Sequence, residues 1–152
     1  MSDKIIVDWE KEEQKIEEEY KKKINQLKQR KKESQMVGNI LAKGVLPVLV
    51  LEIVSREPKN GNEISVTIGE ITEGKWIPST GGIYPILKKM EKKGFMDAKW
   101  DDPDKRNKKM YSITDSGFNE LYNQREQLLS SLSQTKLIFE GIENYIQKKV
   151  NS

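Results

Sequence analysis

The chain has 152 residues, of which 34% are charged and 35% hydrophobic, with a formal net charge of +3. That is one domain's worth of sequence with a lean core, and burying further apolar surface in an oligomer would relieve the shortage. Neither Cys nor His occurs, which excludes disulfides, thiolate and imidazole catalysis and Cys- or His-based metal sites; with no glycine-rich phosphate loop either, no enzyme, cofactor or metal is expected.

The first residues, MSDKIIVDWE, lack the long apolar region of a signal peptide. The longest apolar run, Val45 to Leu51, is interrupted by Pro47 and too short to span a bilayer, so a cytoplasmic protein with no membrane partner is expected. From about Asp8 to Glu33 the chain reads as a very polar helix. Trp9, Ile16, Tyr20, Ile24 and Leu27 form one narrow apolar seam along it. The helix is acidic in its first half (Glu10, Glu12, Glu13, Glu17, Glu18, Glu19) and basic in its second (Lys21, Lys22, Lys23, Lys28, Arg30, Lys31, Lys32). That order suits the helix dipole and favours antiparallel pairing with a second copy over a merely solvated helix.

Ser34 to Lys43 reads as a linker or short helical lead-in, because Gly38 and Asn39 interrupt the pattern. Val45 to Val54 is apolar on nearly every side and predicts a buried helix, with Pro47 in its first turn. A turn around Pro58 and Gly61 follows, then a weaker helix over Asn62 to Glu73 with Ile64, Ile68 and Ile71 on one face, ended by Gly74.

Lys75 to Phe95 carries the most information. Pro78 and Ser79 signal a helix start, with Ser79 as N-cap, and Gly94 stops the helix. At about 100° per residue, Ile83, Ile86, Leu87 and Met90 make one core-facing stripe. Gly81, Pro85, Lys88 and Lys92 point the other way, flanked by Tyr84 and Lys89. Small residues at the leading end permit close approach to a surface, and the lysines and free first-turn N–H groups suit phosphates. Phe95 to Trp100 then reads as a strand, Asp101, Asp102, Pro103 and Asp104 as a turn rather than a metal cage, Lys105 to Lys109 as a basic loop tip, and Met110 to Ile113 as a returning strand. Helix followed by cationic hairpin is the order of a winged helix-turn-helix, whose recognition helix enters the DNA major groove while the wing touches the flanking backbone. The core of this unit is expected to comprise Leu46, Leu49, Ile53, Ile64, Ile68, Ile71, Ile83, Leu87, Met90, Phe95 and Ile113.

In the last region, ITDSG opens a helix with Asp115 in its first turn. Phe118, Leu121, Tyr122, Leu128, Leu129, Leu132, Phe139, Ile142, Ile146 and Val150 keep a helical period to the end, and Ser130, Ser131 and Ser133 leave one long helix or two equally open. This stripe exceeds what a small winged domain needs, and the simplest partner for the surplus is a second copy.

The order Trp76, Pro78, Ser79, Gly81, Ile83, Tyr84, Pro85, Leu87, Met90, Glu91, Gly94 resembles the recognition-helix signature of the PadR-like transcriptional regulators. The resemblance extends back to Lys43, Gly44, Leu46, Gly61, Glu63 and Ile64, and forward to Tyr111, Ile113, Thr114 and Gly117. It covers roughly Lys43 to Gly117 and leaves the charged N-terminal helix outside. Asn62 departs from it, since the family usually has Tyr or Trp there. The resemblance implies a dimeric winged-helix repressor that dimerises through C-terminal helices; some members bind small effectors, and the identity of any effector here is unknown.

The expected architecture is therefore mainly α with a small β-hairpin wing: a charged helix over residues 1–36, a winged helix-turn-helix over 37–117 and a dimerisation helix or helices over 118–152. The leading reading is a sequence-specific double-stranded DNA-binding regulator and homodimer, with a DNA-binding partition or architectural protein, or a winged-helix protein-interaction module, as alternatives. Candidate DNA-contacting residues are Ser79, Thr80, Gly82, Tyr84, Pro85, Lys88, Lys89 and Lys92 on the recognition helix and Lys105, Arg106, Lys108 and Lys109 on the wing. Candidate dimer contacts are Trp9, Tyr20, Phe139, Ile142 and Ile146.

Overall fold

A computed structural model of the chain describes residues 8–151, with the side chains of 33–40 and 149–151 outside the description. The elements run α1 (Trp9–Leu41), α2 (Leu46–Arg56), α3 (Gly61–Ile71), α4 (Thr80–Lys92), β1 (Met96–Trp100), β2 (Lys109–Ile113) and α5 (Asp115–Asn151). Helices with one antiparallel hairpin match the winged-helix architecture expected from the sequence.

One expectation is corrected and two readings left open are decided. Of the two readings of Ser34 to Lys43 the helical one holds, as a continuation of α1: that helix runs through Gly38 and Asn39 to Leu41, and the break falls at Ala42 to Val45. One glycine costs about 1 kcal/mol inside a helix, which a long run of good helix formers outweighs. Ile71 is not core but 59% exposed. The inner face of α3 continues from Ile68 to Thr72 instead, one turn on. The Thr72 hydroxyl donates to the Ile68 carbonyl (2.8 Å) and accepts from the Trp76 N–H (3.1 Å), which ties the following loop to the end of α3 with Trp76 buried. Finally, α5 is a single helix of 37 residues, and its serines do not break it.

The core joins the inward faces of α2, α3 and α4, both strands and the base of α5, with Val50, Leu51, Ile64, Ile68, Ile83, Leu87, Met96, Tyr111 and Leu121 almost fully buried. Each such aliphatic side chain contributes about 1.5–3 kcal/mol. α2 tolerates Pro47 because the proline stands in its first turn, where an N–H would have no partner. Asn60 begins α3 through a reciprocal cap: its side chain accepts from the Glu63 N–H (2.8 Å), and the Glu63 carboxylate accepts from the Asn60 N–H (3.2 Å). α4 ends at Gly94, whose φ of 79° only glycine adopts without strain. The Phe95 N–H returns to the Met90 carbonyl (2.9 Å) and that of Gly94 to Glu91 (3.0 Å), which swings the chain directly into β1.

β1 and β2 pair antiparallel from Met96 opposite Ile113 to Trp100 opposite Lys109. Lys59, just ahead of α3, adds a short third arm by exchanging both backbone hydrogen bonds with Tyr111 (3.1 and 2.9 Å). Thr114 joins the wing to α5. Its hydroxyl donates to the Gly94 carbonyl (2.6 Å) and accepts from the Gly117 N–H (3.0 Å) as the helix cap. Gly117 passes so close to the α4–β1 corner that an added Cβ would lie 2.2 Å from the Phe95 carbonyl oxygen. Farther along α5, Arg125 reaches Glu52 of α2 at 2.9 Å.

Candidate nucleic-acid interface

α4 is positioned from both ends. The Ser79 hydroxyl accepts from the Gly82 N–H (3.2 Å), and Ile83 and Leu87 lock the inner face with Ile86 and Met90 half-buried beside them. Thr80, Gly81, Tyr84, Lys88 and Lys92 share the outer face, and all five are exposed. Pro85 and Lys89 are turned to one side, where they line a groove with Pro47 and Leu51 of α2 and Glu120 and Gln124 of α5. By helical geometry Gly82 lies on that same side, one turn before Ile86 and two before Lys89. The eight helix candidates thus divide between the outward ridge and a flank leading to α2 and α5. Pro85 carries no N–H, so the usual helical bond from this position to the Gly81 carbonyl one turn earlier cannot form.

Tyr84 is the largest group on the ridge. Its ring lies over Gly61, where an added Cβ would stand 3.0 Å from Tyr84 Cζ, so the first turn of α3 packs against the middle of α4. With Asn60, Asn62, Glu63, Asp101, Asn107 and Lys108 it borders a polar groove between helix and wing. Asn62 belongs to this groove as an exposed polar residue, where the resembled family usually carries an aromatic.

The wing tip is organised by Asp102, not by its lysines. Asp102 Oδ1 accepts from the N–H groups of Asp104 (2.9 Å) and Lys105 (3.4 Å), and its carbonyl accepts from Arg106 (2.8 Å). Arg106 is held left-handed at φ 49°, and the Asp101 N–H closes the loop on the Lys108 carbonyl (2.7 Å). Lys105, Arg106 and Lys108 stand exposed around this turn. Lys109 does not belong to the tip. It is the first residue of β2, half-buried, with Nζ 3.5 Å from Glu91 of α4 and 5.9 Å from the ring centres of Trp100 and Tyr111. Burial, followed by the nearby Glu91 charge, holds the Tyr111 phenol above its ordinary pKa.

The candidate dimer contacts lie away from this surface. Trp9 and Tyr20 are exposed on α1, which makes no extensive contact with another element of the described residues. Phe139, Ile142 and Ile146 are exposed on the distal half of α5, continuing the line of Leu128, Leu132 and Thr135 at alternating steps of four and three. Leu128 and Leu132 meet Leu41, Val45 and Val48 in an open apolar cleft where α1 and α5 leave the domain. Sequence reasoning missed the Asn60 cap, the Lys59 arm, the burial of Trp76 and Tyr111, and both cross-element ion pairs. Of these only the cap had a local signal, the Asn60 to Glu63 spacing. Among the described residues no helix is long and apolar enough to cross a membrane.

The model of the transcriptional regulator PadR-like family matches residues 50–123. The transcriptional regulator YqjI of Escherichia coli is 31% identical over 85 residues, which are 56% of this chain and 40% of that protein, so the match spans less than half of its length. A PadR family transcriptional regulator from Eggerthella lenta is 25% identical and superposes with a TM-score of 0.56, covering 70% of this chain and 91% of that one. The smu.1704 protein of Streptococcus mutans is 32% identical with a TM-score of 0.52, covering 64% and 88%.

Proposed function

The chain belongs to the PadR-like family of transcriptional regulators, and we propose that it works as a homodimeric repressor that binds specific double-stranded DNA. One observation carries the reading: Tyr84, on the exposed outer ridge of α4 with Thr80, Gly81, Lys88 and Lys92, borders the same polar groove as Lys108 of the wing, whose tip also exposes Lys105 and Arg106. A helix whose leading turn carries only small side chains can enter the major groove deeply, with Ser79, Thr80 and the unengaged first-turn N–H groups near phosphate. Tyr84 and Lys88, farther along, reach base edges. The wing then lies over the flanking backbone, where flexible cations contribute affinity with little sequence choice. Lys89 and Lys92, toward the end of α4, serve the adjoining phosphates.

The net charge of +3 is too small for strong binding by bulk attraction, which favours a reading based on placement of charge. Dimerisation through Phe139, Ile142 and Ile146 would pair two such ridges about a two-fold axis. The test is a genomic map of bound sites combined with titrations on a recovered site and on scrambled DNA at several salt concentrations. Discrete promoter sites, with the specific sequence bound at least a thousandfold more tightly, are expected; uniform binding to all DNA, or none, would overturn the proposal.

A further inference from the structure

Among the described residues, α1 is an arm whose apolar seam from Trp9 to Leu27 stays exposed, with Leu41 at its far end meeting the winged domain. Its 33 residues extend about 50 Å at about 1.5 Å per residue, and Trp9, Ile16, Tyr20 and Leu27 are between 55% and 74% exposed along it. A seven-residue frame places Trp9, Ile16 and Lys23 at one seam position and Glu13, Tyr20 and Leu27 at the other. The seam thus holds four apolar residues, one acid and one base.

We propose that α1 pairs antiparallel with α1 of a second copy of the chain, in the register that sets Ile16 opposite Tyr20. Antiparallel helices bring the two seam positions together in alternating layers. In this register Trp9 meets Leu27, Ile16 meets Tyr20, and the lone acid, Glu13, meets the lone base, Lys23. Two-fold symmetry repeats each layer, giving four apolar layers and two charge-paired ones. Parallel pairing in register would instead stack Glu13 on Glu13 and Lys23 on Lys23, and lay both acidic halves side by side. The cost of the antiparallel arrangement falls at its axis, where Glu17 and Glu19 approach their own copies. Lys21 and Lys23, four residues on along the same helix, offset part of that repulsion and support the single helix. The pairing is independent of the DNA-binding reading, since no residue of α4 or the wing takes part.

The absence of Cys makes the test direct. Full-length Glu13→Cys and Lys23→Cys proteins are mixed in equal amounts and oxidised under native conditions, and the products resolved by non-reducing electrophoresis and mass spectrometry. The mixed disulfide is expected well above the twofold excess over either symmetric product that random collision gives. A dominant Glu13→Cys symmetric product, meaning parallel pairing, overturns the proposal, as does a random ratio. So does preferential capture of Glu13→Cys by a Tyr145→Cys protein, which would mean that α1 docks on α5 of the second copy. Charge exchange supplies a second measurement: Glu13→Lys and Lys23→Glu should each weaken association about tenfold in sedimentation, and the doubly exchanged chain should recover it. Failure of that recovery, with the thermal melt of each variant unchanged, equally overturns the register.

Discussion

Lys109 at the start of β2 extends its ammonium to within 3.5 Å of the Glu91 carboxylate on α4, so a charge pair fastens the wing to the helix beside the surface proposed to meet DNA. Both side chains are about one-third exposed, which limits the pair to less than about 1 kcal/mol of stability. Its larger consequence is electrostatic: Glu91 sets a negative charge among Lys88, Lys92 and Lys109. Glu91→Gln should barely move the melting temperature, tighten binding to scrambled DNA several-fold and steepen the salt dependence by about one unit of slope. If binding to every sequence weakened instead, the pair would be acting chiefly to hold the wing in place.

The α4–β1 corner is the least tolerant place in the domain. At Gly117 an added Cβ would meet the Phe95 carbonyl oxygen at 2.2 Å and Ile113 at 2.7 Å, and backbone cannot step aside as a flexible side chain can. Gly117→Ala should cost about 1–3 kcal/mol or more in urea unfolding. Thr114→Val removes the cap on the Gly117 N–H and the bond to the Gly94 carbonyl. It should cost about 1–2 kcal/mol. A Gly117→Ala protein as stable as the parent would contradict this corner geometry.

Much of this was legible in the sequence because it rests on period and punctuation. The stripe Ile83, Ile86, Leu87, Met90 between Ser79 and Gly94 gave α4 both ends and its face, and alternation around the DDPD turn gave the hairpin. What escaped depends on distance in space. Lys59 and Tyr111 are 52 positions apart, and no local pattern in the Glu57 to Asn62 turn announces a strand arm. Lys109 reads as one of a basic run, and only the fold turns it toward Glu91 and away from the tip. Ile71 shows how a three-residue spacing drifts: Ile64 to Ile68 is a four-step, and the next four-step lands on Thr72, which a search for apolar residues passes over.

The chain lacks His, the side chain whose ordinary titration falls nearest neutrality, and stability should vary little between about pH 6 and 8. Tyr111 contributes to the alkaline decline. Its folded-state pKa is raised above the ordinary 10.0, chiefly by burial. The stabilisation is therefore fully present below that ordinary value and lost as pH climbs through the folded one. Denaturation midpoints should fall above about pH 10, and Tyr111→Phe should remove that part of the decline. An alkaline decline of the same size in the Phe variant would assign it elsewhere.

Phe139, Ile142 and Ile146 leave about half of each side chain in water on α5, a surface that a proposed second copy covers. Ile142→Asp would put a charge at the centre of that contact, and burying it unpaired costs several kcal/mol. Light scattering at micromolar concentration should find the parent chain dimeric and the variant largely monomeric, with matching melts of the winged domain. A monomeric parent would remove both this interface and the two-fold reading of DNA.

The exposed wing cations and the α4 ridge should fail in different ways when altered. Lys105 and Arg106 stand on a turn built by Asp102 hydrogen bonds, so replacing both with Ala leaves the scaffold intact and removes only charge. Binding should weaken alike on specific and scrambled DNA, and the log–log salt slope should fall by about one for each phosphate no longer neutralised. Lys109→Ala should leave that slope nearly unchanged, because the lysine is engaged by Glu91 rather than free at the tip. Thr80 and Lys88 lie on the ridge itself, and substitution there should change the ranking of operator variants by about 1–3 kcal/mol where a base edge is read. Gly82, on the flank of α4, has open space around its Cα, with only the Ser79 hydroxyl 3.7 Å from an added Cβ. Gly82→Ala should therefore fold normally, and any loss of DNA affinity it shows would come from the groove and not from the fold. Titrations of these variants on matched and scrambled duplexes at several salt concentrations separate the two behaviours. Loss of sequence preference in the wing variant, with only general weakening in the ridge variants, would reverse the roles assigned to them.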